Sequence, residues 1–180
     1  MIRSNSLLLC ALLLTMFQAA MCQVNLKSAD LVWNHYDRYK EPVITNRFFK
    51  HTEVLNLIQK HTTSRLISAV QIGQSVKGRS INHLKLGTGK IKVLLWSQMH
   101  GDESTATMAL FDLLNFLAAD DEHNDLRKLI LSNLELNIVP MLNPDGAQQW
   151  KRRNDLEIDV NRDARYLVTP EGRALMNLAK

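Results

Sequence analysis

The patterning of the chain predicts an α/β fold: a mixed, mostly buried β-sheet with helices on both faces. Three observations carry that expectation. The near-continuous apolar run 91–97 reads as an interior strand covered on both faces, and 134–141 as another buried strand. Between them, 104–120 is apolar around most of a helical circumference, which suits a helix packed between a sheet and its neighbours. Upstream, 66–72 and 80–86 read as two further strands, joined as a hairpin by the glycine-bearing span 73–79.

Taken in order, the first residues concern export. Arg3 supplies a positive start, 7–17 is apolar, and Ala19-Ala20-Met21-Cys22 leads into polar Gln23. This is the pattern of a secretory signal peptide over 1–22, too short for a comfortable membrane span. Cleavage after Cys22 puts Ala20 and Cys22 at the small-residue positions. Acylation of Cys22 as a lipoprotein is the alternative, which Met21 fits poorly; an uncleaved anchor is a third. Both cysteines, Cys10 and Cys22, lie in this segment, so a mature chain of 23–180 would have no disulfide to rely on. The expected location is outside the cytoplasm, secreted or periplasmic, with no transmembrane helix in the mature chain.

The 180 residues are enough for one domain with a real core. The formal charge of +4 is modest and scattered, densest at Arg152, Arg153, Arg162 and Arg165. There is no block of like charge, so nucleic acid is not an expected partner. No internal repeat or low-complexity linker divides the chain.

In 23–49, Trp33, Tyr36 and Tyr39 read as packing residues. His35 and His51 read as surface or satisfied histidines. A short helix is expected over 52–60, capped by Thr52, with Val54, Leu57 and Ile58 on its apolar side. His83 falls inside a strand and reads as structural, and Gly87 and Gly89 mark a turn. Met108 reads as core. The acidic connection 120–125 reads as a solvated loop rather than a weak cation site. A short helical stretch, 126–132, precedes the strand 134–141. A turn follows at 140–146, where Pro144 fixes φ, Gly146 supplies φ > 0, and Asn143 and Asp145 are structural. The last helix, 169–179, starts near Pro170, which suits a first helical turn.

The chemistry concentrates where the strand 91–97 ends and the helix 104–120 begins. His100 and Glu103 sit three residues apart on that turn. Ligands of open α/β sheets bind beyond the carboxyl ends of strands. A nitrogen and a carboxylate oxygen on one tight turn can reach the same cation, and this mixture suits zinc. A polar turn whose Glu favours the helix start is the simpler reading of the spacing alone.

Further motifs lie in fixed order around this pair. Gly73-Gln74-Ser75-Val76-Lys77-Gly78-Arg79-Ser80 lies upstream, and Asn143-Pro144-Asp145-Gly146 downstream. Arg152-Arg153-Asn154 and Asp159-Val160-Asn161-Arg162-Asp163 follow. In this order the set resembles the zinc carboxypeptidase family, the metallocarboxypeptidases typified by pancreatic carboxypeptidase A, from about Ile72 to Asp163. The resemblance implies a carboxypeptidase-like fold with one zinc ion as cofactor. It implies a peptide substrate with a free C-terminal carboxylate, cleaved by metal-activated water. Residue by residue, it implies His100 and Glu103 as zinc ligands. It implies Arg152 as the arginine that polarises the scissile carbonyl and holds the oxyanion, with Arg153 as the competing register. Asn161 and Arg162 match the pair that binds the terminal carboxylate, a task bidentate guanidinium does well. Arg79 matches a substrate-side arginine. On composition alone these arginines and Asn161 read as a solvated basic stretch, a cap and an exposed hairpin residue.

The sequence also departs from the family. Its zinc site is completed by a second histidine well downstream of the Asn-Arg pair, and its general-base glutamate lies further on. Between Asn161 and Lys180 there is no histidine, and Glu171 does not occupy the base position. The span 23–180 therefore reads as the N-terminal part of a zinc carboxypeptidase domain, truncated, and inactive alone. Amidase action on cell-wall peptides, and a secreted non-catalytic carboxylate-binding module, are the alternatives.

Overall fold

The computed structural model describes Asp30 and residues 32–180. The segment 1–22 and its two cysteines lie outside the described residues. The chain divides into two units, Met1–Arg38 and Tyr39–Lys180. In the first, the described residues hold a 3-10 turn, Tyr36–Arg38, and a stacked pair, Trp33 and Tyr36, with ring centroids 5.7 Å apart. The second unit carries the sheet.

That unit runs α1 (His51–Thr62), β1 (Ser68–Gln74), β2 (Ser80–Leu86), β3 (Ile91–Trp96), α2 (Thr105–Ala118) and α3 (Asn124–Asn133). Then come β4 (Leu134–Val139), α4 (Pro144–Gln149), a 3-10 turn (Val160–Arg162) and α5 (Pro170–Leu178). The sheet has the order β1-β2-β4-β3. β2 pairs antiparallel with both β1 and β4, while β3 lies parallel to β4. The mixed sheet of the expectation is present. Parallel neighbours need a crossover connection, and α2 and α3 supply it.

Alternate residues of a strand face opposite sides, and here both sides are buried. Leu84 pairs with Ile138 and Leu86 with Leu136, all at most 4% exposed. On the other face Ile81 and Val139 pack with Leu142, Val160, and Ala174 and Leu175 of α5. His83 lies on that second face and bonds Asn137 Oδ1 at 2.9 Å. His51 Nε2 meets the Ser80 carbonyl at 2.9 Å. Burial lowers the pKa of both rings, which keeps them neutral, structural imidazoles.

Four local expectations are corrected. β3 is not interior: among the described residues it is the sheet's edge, with Ile91 60% and Trp96 46% exposed. Residues 93–95 of β3 are half-buried. Thr52 does not cap α1. Lys50 is the N-cap, and the Glu53 carboxylate accepts its backbone N–H at 2.8 Å. The span 144–149 is a short helix, not only a turn. Asn143 caps it by accepting from Gly146 N at 2.9 Å, and Pro144 takes the first position, where a missing N–H costs nothing. The acidic connection is not merely solvated: both Asp121 oxygens accept from the buried Arg127 guanidinium, at 2.8 and 2.9 Å.

Candidate metal centre

The turn after β3 is held by the chain that follows β4. Ser97 N donates to the Val139 carbonyl, Leu142 N to that of Ser97, and Asn143 N to that of Gln98. Gln98 takes a left-handed φ of 45°, and its amide donates to the Gly101 carbonyl at 3.0 Å. Gly101 must be glycine: a Cβ there would stand 2.0 Å from the Gly146 carbonyl carbon and 2.2 Å from Ala147 N. The turn thus lies directly on the backbone of α4. Glu103 N donates to the His100 carbonyl at 3.1 Å, which closes the turn and brings residues three apart onto one side.

The result is a closed polar cluster. His100 Nδ1 is 3.0 Å from Glu103 Oε2, and His100 Nε2 is 2.9 Å from Asp159 Oδ1. Arg152 spans the two carboxylates. Its Nη1 donates to Glu103 Oε1 at 3.2 Å, and its Nε and Nη2 donate to Asp159 Oδ2 at 3.2 and 3.1 Å. The His100 side chain is 8% exposed and that of Glu103 62%, so the cluster is rooted in the core and opens to solvent on its glutamate side. Burial alone would raise the Asp159 carboxyl. Hydrogen bonds from His100 and Arg152, and their charges, outweigh it and hold the group below the usual carboxylate value.

This donor set fits zinc. Two ligands at about 2.0–2.1 Å in a tetrahedral arrangement stand about 3.3–3.4 Å apart. The 3.0 Å separation of Nδ1 and Oε2 opens to that with a small side-chain shift. A carboxylate on the far ring nitrogen is what a ligating histidine needs, because it fixes the proton on Nε2 and leaves the Nδ1 lone pair for the metal.

The other site residues of the sequence reading divide. Arg152 faces the cluster, whereas Arg153 Nη1 donates to the Glu157 carbonyl within its own turn, 2.6 Å away. Asn161 and Arg162 lie on the 3-10 turn immediately after Asp159. Asn161 N donates to Asp159 Oδ1 at 3.1 Å, and both side chains are exposed. Arg79 pairs with a different carboxylate from those around His100. Its Nη1 meets Asp145 Oδ1 at 2.6 Å, and the fully buried Asp145 also accepts from Ser75 Oγ and Lys77 N. The motif that suggested a substrate-side arginine builds a buried tie between the β1–β2 hairpin and α4. Asp159 was missed as a participant. Its signal was available: a carboxylate two residues before Asn161, in a chain whose candidate ligand, His100, would need an orienting partner.

The four-stranded mixed sheet and its helices are matched within solved metallocarboxypeptidases, over about a third of their length. A metallo-carboxypeptidase from Burkholderia cenocepacia aligns with a TM-score of 0.67 at 24% identity, over 72% of this chain and 37% of that one. One from Pseudomonas aeruginosa aligns at 0.60 and 22%, over 72% and 36%. The family model described as Zinc carboxypeptidase matches residues 53–172, and the chain belongs to that family. Carboxypeptidase SOL1 of Arabidopsis thaliana is 31% identical over 106 residues, 56% of this chain and 22% of that protein. Carboxypeptidase A2 of Mus musculus is 30% identical over 98 residues, 53% of this chain and 23% of its own length. The chain thus spans less than a quarter of these curated relatives.

Proposed function

We propose that this chain provides part of the centre of a zinc-dependent carboxypeptidase that releases C-terminal residues from peptides. The observation that carries the reading is the approach of His100 Nδ1 to Glu103 Oε2 at 3.0 Å, with Asp159 on the opposite ring nitrogen. His100 and Glu103 would hold the metal, which when bound polarises a carbonyl and acidifies water. Asp159 keeps the imidazole oriented. Arg152, which bridges Glu103 and Asp159, would offer its guanidinium to a developing oxyanion. Asn161 and Arg162, exposed on the turn beside Asp159, would take the substrate's terminal carboxylate. The signal-like segment 1–22 supports action outside the cytoplasm after export.

Zinc titration by competition with a chromophoric chelator tests the ligand assignment. Binding should weaken in both His100→Ala and Glu103→Ala; affinity unchanged in both variants would remove the metal centre. With two protein donors in the cluster, where catalytic zinc sites use three, hydrolysis of C-terminally free peptides by these 180 residues should be negligible. Robust turnover abolished by His100→Ala would show that a further residue of the chain, or of a second copy, completes the site.

A further inference from the structure

Arg152 and Asp159 reach the cluster from one short turn, and that turn is organised around Asn154. Asn154 Oδ1 accepts from Leu156 N and Ile158 N, each at 3.1 Å. Asn154 N donates to the Ile158 carbonyl at 3.1 Å, so the chain enters and leaves side by side. This pairing sets Arg152 beside Asp159. Glu157, at φ 58°, takes the left-handed position that closing the turn demands.

What holds Asn154 itself is Glu171, from the first turn of α5. Asn154 Nδ2 donates to Glu171 Oε2 at 3.0 Å, and Glu171 is fully buried. A second tie lies beyond Asp159: Asp163 Oδ2 accepts from Thr169 N at 2.8 Å and from Thr169 Oγ1 at 2.6 Å. Asp159 therefore sits between two points where the turn is fastened to the start of α5. A carboxyl buried at Glu171 is costly to leave without its partner, and burial pushes its pKa up, with the Asp145 charge acting in the same direction.

We propose that Glu171 is a positioning residue for the His100 cluster. By holding the Asn154 amide it sets the 151–159 turn so that the Asp159 carboxylate meets His100 Nε2 and Arg152 spans Asp159 and Glu103. The consequence for zinc affinity rests on the metal-centre reading; the geometric consequence does not.

Two readouts separate them. The first is the His100 Nε2–H proton resonance in metal-free protein, shifted downfield and protected from exchange by Asp159, and identified by its loss in His100→Ala. The second is zinc affinity, with zinc chloride titrated against a chromophoric chelator. Glu171→Ala and Asn154→Asp should each lose the protected resonance and weaken zinc binding about tenfold or more, as loss of support behind a ligand does. The reciprocal pair Asn154→Asp with Glu171→Gln restores a donor facing an acceptor at the same volume, and should restore both readouts. Ser75→Ala, which removes one donor to the buried Asp145 carboxylate, should lower the melting temperature and leave the resonance intact. A folded Glu171→Ala with parental resonance and zinc affinity would overturn the proposal. If Glu171→Ala does not fold, the reciprocal pair decides: failure to fold, or folding without the resonance, overturns it equally. Should the parent bind no zinc while the resonance follows the variants as stated, the positioning role stands and the proposed function fails.

Discussion

Replacing Arg79 with methionine tests whether that arginine ties the fold together or is available to a substrate. Asp145 is fully buried and has three donors: Arg79 Nη1 at 2.6 Å, Ser75 Oγ at 2.8 Å and Lys77 N at 2.9 Å. Arg79→Met keeps most of the aliphatic stem and removes the charge. Asp145 is then a buried carboxylate with two neutral donors. Breaking a fully buried pair costs about 3–5 kcal/mol. The Arg79 side chain is 31% exposed, so water already screens part of the attraction, and about 2–3 kcal/mol is the better figure. At about 2–4 °C per kcal/mol for a chain of this size, the melting temperature should fall by about 4–12 °C. Thermal and urea unfolding followed by circular dichroism measure it. Adding Asp145→Asn to Arg79→Met should cost less than Asp145→Asn costs the parent, because the two share one interaction. A parental melting temperature in Arg79→Met would refute this reasoning and return Arg79 to the substrate side, where weaker peptide binding would be its mark.

Three other outcomes are expected. Gly101→Ala places a Cβ on the backbone of Gly146 and Ala147, so a loss of about 3 kcal/mol or more in urea unfolding is expected, and a loss below about 1 kcal/mol would mean the contact gives way easily. Asp159→Asn should weaken zinc binding by about 10–100-fold with an unchanged circular dichroism spectrum, and equal affinity would deny Asp159 its orienting role. Hydrogen bonding from Arg127 holds the Asp121 carboxyl well below its usual value, so its stabilising contribution is present above the unfolded value near about 4 and is lost as the pH falls through the folded one. The parent should therefore lose more stability than Asp121→Asn on going from neutral pH to about pH 2, and parallel urea midpoints across that range would contradict it.

His100 and Glu103 were legible because their constraint is local. A strand, a closed turn and a helix start lie within a few residues, and spacing alone says which side chains share a side. Face burial of the strands was legible for the same reason. The edge position of β3 was not, because strand order depends on β4 entering between β2 and β3, which no local pattern encodes. Asp159 meets His100 across 59 residues, and the Asn154–Glu171 tie needs two turns to dock on α5. Pro144-Asp145-Gly146 could begin a turn or a helix; the Asn143 cap tipped it to helix. The Arg79–Asp145 pair was not legible either. The hairpin was read well, but the buried carboxylate waiting for its guanidinium lay 66 residues away.

Those long separations have a kinetic consequence. Glu103 and Arg152 are joined over 49 residues, His100 and Asp159 over 59, and Ser75 and Asp145 over 70. Each contact closes a long loop, and the entropy of closure must be met before the contact returns anything. The His100 turn has nothing to rest on until β4 lies beside β3, because its carbonyls and N–H groups bond the residues that follow β4. An unfolded chain therefore carries His100 and Glu103 on a floppy segment, with no carboxylate fixed behind the ring. Helices such as α2 can form on their own clock, whereas the cluster comes into being with the last long-range pairing. If the cluster holds a metal as proposed, capture on this topology would complete folding rather than start it.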